Sequence, residues 1–247
     1  MYIYDDGIKL DSVLKKPDNF DGKCPIVIII HGFTGNKDEE LLIQVSDMLN
    51  KNGFATLRTD MYGHGKSDGV FREHTLFKWM SNAMTLIDYA RDQEFVTDIY
   101  LCGHSQGGLT VMLAAALKHE FVKGIIALSP AAMIPELARK GKLLDSDFDP
   151  DHLPDELPTW NEQVLGNNYI RVAQTIHVEE SIDRYDGPVL IVQGTNDMPD
   201  LMASAKAAHE RYKNSEMVLI DGDDHCYGVH MEIMVDAVKN WICKING

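Results

Sequence analysis

The stretch "IYLCGHSQGGLT", residues 99–110, decides how this chain is read. An apolar run ends at Gly103, a single hydroxyl follows at Ser105, and Gly107 and Gly108 open a run rich in Ala and Leu. Gly103-His104-Ser105-Gln106-Gly107 fits G-x-S-x-G, a pattern that chance places in about one chain in ten of this length, so the flanks must carry the reading. They do: a strand precedes it and a helix follows, the context of a strand-turn-helix elbow. In such an elbow small neighbours let a serine sit in a strained turn with its hydroxyl projecting from the sheet edge. The helix beginning beneath it offers free N–H groups and a positive dipole end, both of which favour a developing anion. The plain alternative is a glycine turn that happens to contain a serine.

Working outward, the same rhythm of short apolar runs and longer helical patterns fills the chain. Residues 24–32, 54–60, 98–104, 122–130, 187–195 and 215–222 are rich in Val, Ile and Leu and end in turn formers, which predicts strands. Several are apolar at consecutive positions, as in strands covered on both faces. Residues 38–53, 74–93, 105–120, 200–214 and 228–245 read as helices. In the second, Phe77, Met80, Met84 and Ile87 recur at helical spacing; in the last, Val235, Val238, Trp241, Ile242 and Ile245 form one stripe. Residues 1–17 read as a hairpin turning at Asp6-Gly7. Strand–helix alternation implies an α/β protein, a mostly parallel twisted sheet flanked by helices, with ligands expected along the carboxyl edge of the strands.

The 247 residues are expected to form one domain. Residues 131–185 break the rhythm. The piece 143–163 is dense in Asp, Glu and Pro, while helical pattern returns near 167–176, so an ordered insertion, a lid over the sheet edge, is expected.

Composition is that of a soluble globular protein, 45% hydrophobic and 25% charged, with a formal net charge of −15. The acidic balance argues against nucleic acid and against anionic membranes as partners. No signal-peptide pattern is present at the N-terminus, and the longest apolar run, 25–30, is too short to span a bilayer. Cys24, Cys102, Cys226 and Cys243 show no metal-ligand spacing and read as free thiols, hence a cytoplasmic location is expected.

A serine needs a base. His104 adjoins Ser105 and should point away; His119 and His209 fall late in helices; His74 reads as a helix-start residue; His152 and His177 belong to the insertion. His31 and His64 lie in loops at the right edge and stay open as alternatives. His225, on the loop between the last strand and the last helix, is the best placed. Its acid should come from another strand end. Asp197 follows "VLIVQG"; Asp200 reads as a helix cap, and Asp221, Asp223 and Asp224 are fallbacks too close in sequence to His225. The order Ser105, Asp197, His225 is serine, acid, histidine. Backbone N–H groups of Gln106 and of Phe33, in the Gly-rich turn 31–35, are the expected oxyanion donors.

These motifs ("HGFTG", "DMYGHGKSDG" at 60–69, "GHSQGG", "GTND" and "DGDDH") together resemble the α/β-hydrolase superfamily over essentially the whole chain. Within it the chain is most similar to small bacterial esterases of the cinnamoyl (feruloyl) group and their monoacylglycerol-lipase-like relatives. The 60–69 turn is mainly structural in such proteins, and Asp60, Gly63, Gly65 and Ser67 are assigned no chemistry. Serine at 105 argues against haloalkane dehalogenases and epoxide hydrolases, which bear aspartate there. The resemblance implies the α/β-hydrolase fold and a two-step acyl transfer on a small-molecule ester with no metal or organic cofactor. Trp160, in a polar context without periodicity, is either a flat wall for an aromatic acyl group or an anchor for the insertion, and Tyr169 is a weaker candidate contact. Rival readings are a monoacylglycerol lipase, a thioesterase or an aminopeptidase of the same fold, and a ligand-binding protein without catalysis.

Overall fold

The computed structural model describes residues 1–247. The N-terminal hairpin pairs β1 (Tyr2–Asp5) with β2 (Ile8–Lys15), turning where Asp6 and Gly7 both take positive φ. Then follow β3 (Cys24–Ile30), α1 (Glu40–Lys51), β4 (Ala55–Thr59), α2 (Leu76–Arg91), β5 (Val96–His104), α3 (Gln106–Leu117) and β6 (Val122–Leu128). After the insertion come β11 (Val189–Gly194), α7 (Pro199–Arg211), β12 (Ser215–Ile220) and α8 (Met231–Asn246). The insertion holds α4 (Ile134–Arg139), β7 (Lys142–Leu143), β8 (Ser146–Asp147), β9 (Glu156–Pro158), β10 (Val164–Gly166), α5 (Asn167–Gln174) and α6 (Val178–Asp183).

Eight strands form one sheet in the order β1-β2-β4-β3-β5-β6-β11-β12, parallel from β4 to β12 with an antiparallel pair at one edge. This is the α/β-hydrolase fold. Alternation along β3 shows why its strands read as unbroken apolar runs. Ile26, Ile28 and Ile30 enter the core under α2, α3 and the insertion, while Val27 and Ile29 enter the core under α1 and α8. A strand with two buried faces has no polar side to alternate with. α3 is buried on every side, from Gln106 to Ala116, so it carries no polar face either.

Two expectations need correction. On α2 the buried row is Leu76, Trp79, Ala83, Leu86, Ile87 and Ala90, whereas Phe77 is 50% exposed and Met80 and Met84 lie at the margin. α7 begins at Pro199, so Asp200 lies inside its first turn rather than capping it. The insertion contains only two-residue and three-residue strands, paired with each other rather than with the main sheet. It is ordered all the same: Arg139 donates to the carbonyls of Gln174 and Ile176, and Gln174 to those of Ala138 and Pro150. No helix is long and apolar enough to cross a membrane. All four cysteines are unpaired, Cys24 and Cys102 buried, Cys226 and Cys243 exposed.

Candidate active site

Four strand ends converge on one rim. Ser105 follows β5, the turn 31–35 follows β3, Asp197 follows β11, and His225 follows β12. Ser105 has φ 55° and ψ −118°, a positive φ that a residue with a side chain adopts only when its surroundings impose it. They do so with hydrogen bonds from Ser105 N–H to the Leu128 carbonyl at 2.9 Å, and from Leu109 and Ala131 N–H to the Ser105 carbonyl. The elbow also leaves no room beside it. A Cβ on Gly103 would stand 2.2 Å from the Gly107 oxygen, and one on Gly107 2.4 Å from the carbonyl oxygens of Ile30 and His31.

The Ser105 hydroxyl donates to His225 Nε2 at 2.9 Å, and His225 Nδ1–H donates to Asp197 Oδ2 at 2.8 Å. A carboxylate can only accept, so the imidazole carries its proton on Nδ1 and turns its Nε2 lone pair to the serine. Asp197 is fully buried as a side chain and His225 about a quarter exposed. Burial pushes the Asp197 carboxyl up, but His225, the Met198 N–H and the Gln193 amide together outweigh it and hold the group below the usual carboxylate range. Gln193 donates to Asp197 Oδ2 at 2.6 Å and Met198 N–H to Oδ1 at 2.7 Å. Gln193 is missing from the sequence reading, although a lone buried amide ending the apolar run of β11 was a visible signal.

The His225 loop is fastened from several sides. Buried Asp223 accepts from the N–H groups of Asp224, Val229 and His230, and Asp224 from those of Cys226 and Gly228. Tyr227 accepts from the Ser129 hydroxyl and donates to the Val192 carbonyl. His104 Nε2–H donates to the His225 carbonyl at 2.9 Å. The fallback acids are therefore occupied otherwise, and Asp221 takes only a contact from Thr195.

The other histidines settle in turn. His31 and His64 are buried and both engage backbone: His31 faces the Gly32 carbonyl and the Met61 N–H, His64 the carbonyls of Tyr62 and Phe33. Neither reaches Ser105. His74 does not start a helix; Thr75 caps α2, and His74 is buried among His64, Trp79, Phe33 and Tyr169.

Phe33 N–H donates to no backbone acceptor, and Gln106 opens α3, ahead of the intrahelical ladder. Their turns lie side by side, since a Cβ on Gly32 would stand 3.3 Å from the Ser105 Cβ. Trp160 is 65% exposed with its ring 5.5 Å from that of Phe33, so it lies beside the turn that follows β3. Tyr169 differs from expectation. It is buried, and its hydroxyl donates to Gln106 Oε1 at 2.6 Å, so in this structure it braces the elbow helix and offers no surface to a ligand. The structure brings together no group of three or more His, Cys, Asp or Glu side chains fit to hold a metal ion.

The arrangement can generate an alkoxide-like nucleophile beside two unpaired amide hydrogens. Residues 22–155, more than half the chain, match the hydrolase family described as serine aminopeptidase, S33. Est1E from Butyrivibrio proteoclasticus, in a structure with ferulic acid bound, is 54% identical, with 99% of this chain and 98% of that chain covered and a TM-score of 0.97. The human mitochondrial palmitoyl-protein thioesterase ABHD10 is 30% identical over 128 residues, 49% of this chain; the match spans only 40% of that relative's length. A carboxylesterase of Bacillus subtilis is 23% identical over 198 residues, 75% of this chain and 77% of the relative.

Proposed function

The chain belongs to the α/β-hydrolase family described as serine aminopeptidase, S33, and on that footing we propose that it is a carboxylic-ester hydrolase acting on hydroxycinnamate esters of the feruloyl type. Ser105 is the nucleophile, His225 the base and Asp197 its orienting acid. Ser105 Oγ attacks the ester carbonyl carbon as its proton passes to His225 Nε2. The oxygen of the tetrahedral adduct takes on negative charge and accepts from Phe33 and Gln106 N–H. Collapse of the adduct breaks the bond to the alcohol, which leaves with the proton held by His225. Water then attacks the acyl-serine, again giving a proton to His225, and the acid departs as Ser105 regains its hydrogen. Asp197 stabilises the imidazolium in both halves without taking its proton.

The observation that carries this reading is the pair of hydrogen bonds, 2.9 and 2.8 Å, that link Ser105, His225 and Asp197 at a strained elbow. For the acyl group, support comes from Est1E, which binds ferulic acid and shares over half its residues with this chain. The exposed Trp160 ring beside Phe33 supplies a flat apolar wall for an aromatic acyl chain. Residues 131–185 act as the lid that carries this wall.

A panel of methyl ferulate, p-nitrophenyl butyrate, a monoacylglycerol, a palmitoyl thioester and an aminoacyl amide tests the reading. We expect the highest kcat/KM on methyl ferulate and loss of all turnover in Ser105→Ala. A thioester or an amide turned over fastest transfers the assignment to that class. A second reading, thioester hydrolysis, has the match to the human thioesterase in its favour and needs only a thiol in place of the leaving alcohol.

A further inference from the structure

His31 and His64, the two imidazoles that sequence leaves open as bases, lie beneath the turn that carries Phe33. Which atoms they hold decides what they do. Met61 N–H reaches His31 Nε2 at 3.0 Å, and a backbone N–H can only donate, so Nε2 bears the lone pair. His31 Nδ1 lies 2.7 Å from the Gly32 carbonyl oxygen, which can only accept, so Nδ1 bears the hydrogen. The two contacts demand the same neutral tautomer. Burial, with His64 beside it, disfavours the cation and lowers the His31 pKa to about 3, so this tautomer persists through the neutral range.

The Gly32 carbonyl belongs to the same peptide unit as the Phe33 N–H. In a planar trans peptide the two bonds point in opposite directions, so holding the oxygen aims the hydrogen. A donor on the carbonyl also polarises the amide and strengthens its N–H as a donor along the chain. His64 lies against the next carbonyl, that of Phe33, on one side and the Tyr62 carbonyl on the other, and a neutral ring has one N–H to give to the two. The geometry points to His31 as the positioning residue of the oxyanion site, its Nδ1–H holding the Gly32 carbonyl so that the Phe33 amide hydrogen faces the developing charge. The inference rests on the functional reading above and adds to it a residue that touches no substrate.

Two amides separate this role from mere support of the fold. His31→Asn keeps a donor where Nδ1 lies and abandons Met61. His31→Gln extends an amide to where Nε2 lies, keeping the Met61 partner and removing the side-chain donor from Gly32, whose carbonyl then keeps only the Gly35 N–H at 3.1 Å. The inhibition constant of an aryl trifluoromethyl ketone, which Ser105 converts to a hemiketal oxyanion as His225 takes its proton, reads the oxyanion site directly. We expect His31→Gln to lose about 10–100-fold in kcat and to weaken ketone binding in parallel, with KM within about threefold, a fraction of what deleting an oxyanion donor costs. His31→Asn should stay within about fivefold of the unaltered protein in both, whatever the order of the two thermal midpoints. Equal losses in the two variants, or ketone affinity untouched in His31→Gln, overturn the inference while leaving the esterase reading standing. An unaltered protein that turns over no ester and binds no ketone overturns both.

Discussion

At Gly32 a methyl group would stand 3.2 Å from His104 Nδ1 and 3.3 Å from the Ser105 Cβ, so the turn bearing Phe33 approaches Ser105 only because no side chain intervenes. Gly32→Ala should therefore push that turn outward by a few tenths of an ångström. Steady-state kinetics should show kcat down about 10–100-fold with little change in KM, because the loss falls on the transition state; an unchanged kcat would mean that the turn yields elsewhere. Asp197 makes a second prediction at this scale. With Asp197→Asn the amide oxygen that keeps the Met198 N–H leaves an NH2 facing His225 Nδ1, which must then accept, and the tautomer that faces Ser105 is lost. We expect kcat to fall by about 10⁴. A fall under tenfold would pass the role to another acid, and Asp223 is the buried carboxylate nearest in sequence to His225.

At the level of elements, the turn after β3 is moored by Lys37. Its ammonium pairs with Asp60 at 2.8 Å and Asp11 at 2.7 Å, and its N–H donates to Asp60 Oδ1. Its side chain is 5% exposed; burial disfavours its charge, but the two carboxylates outweigh burial and raise the pKa above the usual lysine value. Removing one member of a buried ionic group strands the others, so Lys37→Met should cost about 3–5 kcal/mol in urea unfolding; a variant as stable as the original would show that Asp60 and Asp11 find water. Asp60 thus has the structural part that sequence assigns to the 60–69 turn. The strands and most helices were equally legible, because burial on both faces writes itself as consecutive Val and Ile and the elbow needs glycine. The α2 face was misphased because Phe77, Met80, Met84 and Ile87 obey the same period as the buried row, in which Ala83 and Ala90 carry little apolar weight. The strands of the insertion are too short for periodicity to register. The partner of Tyr169 is not legible in sequence, since an aromatic ring says nothing of whether its hydroxyl faces a ligand or, as here, Gln106.

Over the whole molecule, the sheet edge is built on uncharged imidazoles. Burial lowers the pKa of His31 and His74 to about 3 and that of His104 to about 4. The unfolded chain takes up protons near pH 6.5 that the folded chain refuses. Their stabilising effect is therefore complete above about pH 6.5 and declines as pH falls toward the folded values, by about 1.4 kcal/mol per pH unit for each imidazole. Urea midpoints should drop steeply between about pH 6.5 and pH 4.5, and His74→Phe should flatten that slope by about one proton; a flat profile would mean these rings charge within the fold. The hydrogen-bonded Ser105, His225 and Asp197 and the turn at Phe33 depend on that one scaffold, and the claim on which the proposed function rests is that Ser105 is made reactive by His225. Labelling with a fluorophosphonate, followed by peptide mapping, tests this most directly. The account predicts rapid modification at Ser105 alone, slowed about a thousandfold in His225→Ala. Modification at another residue, or an undiminished rate in His225→Ala, would contradict it.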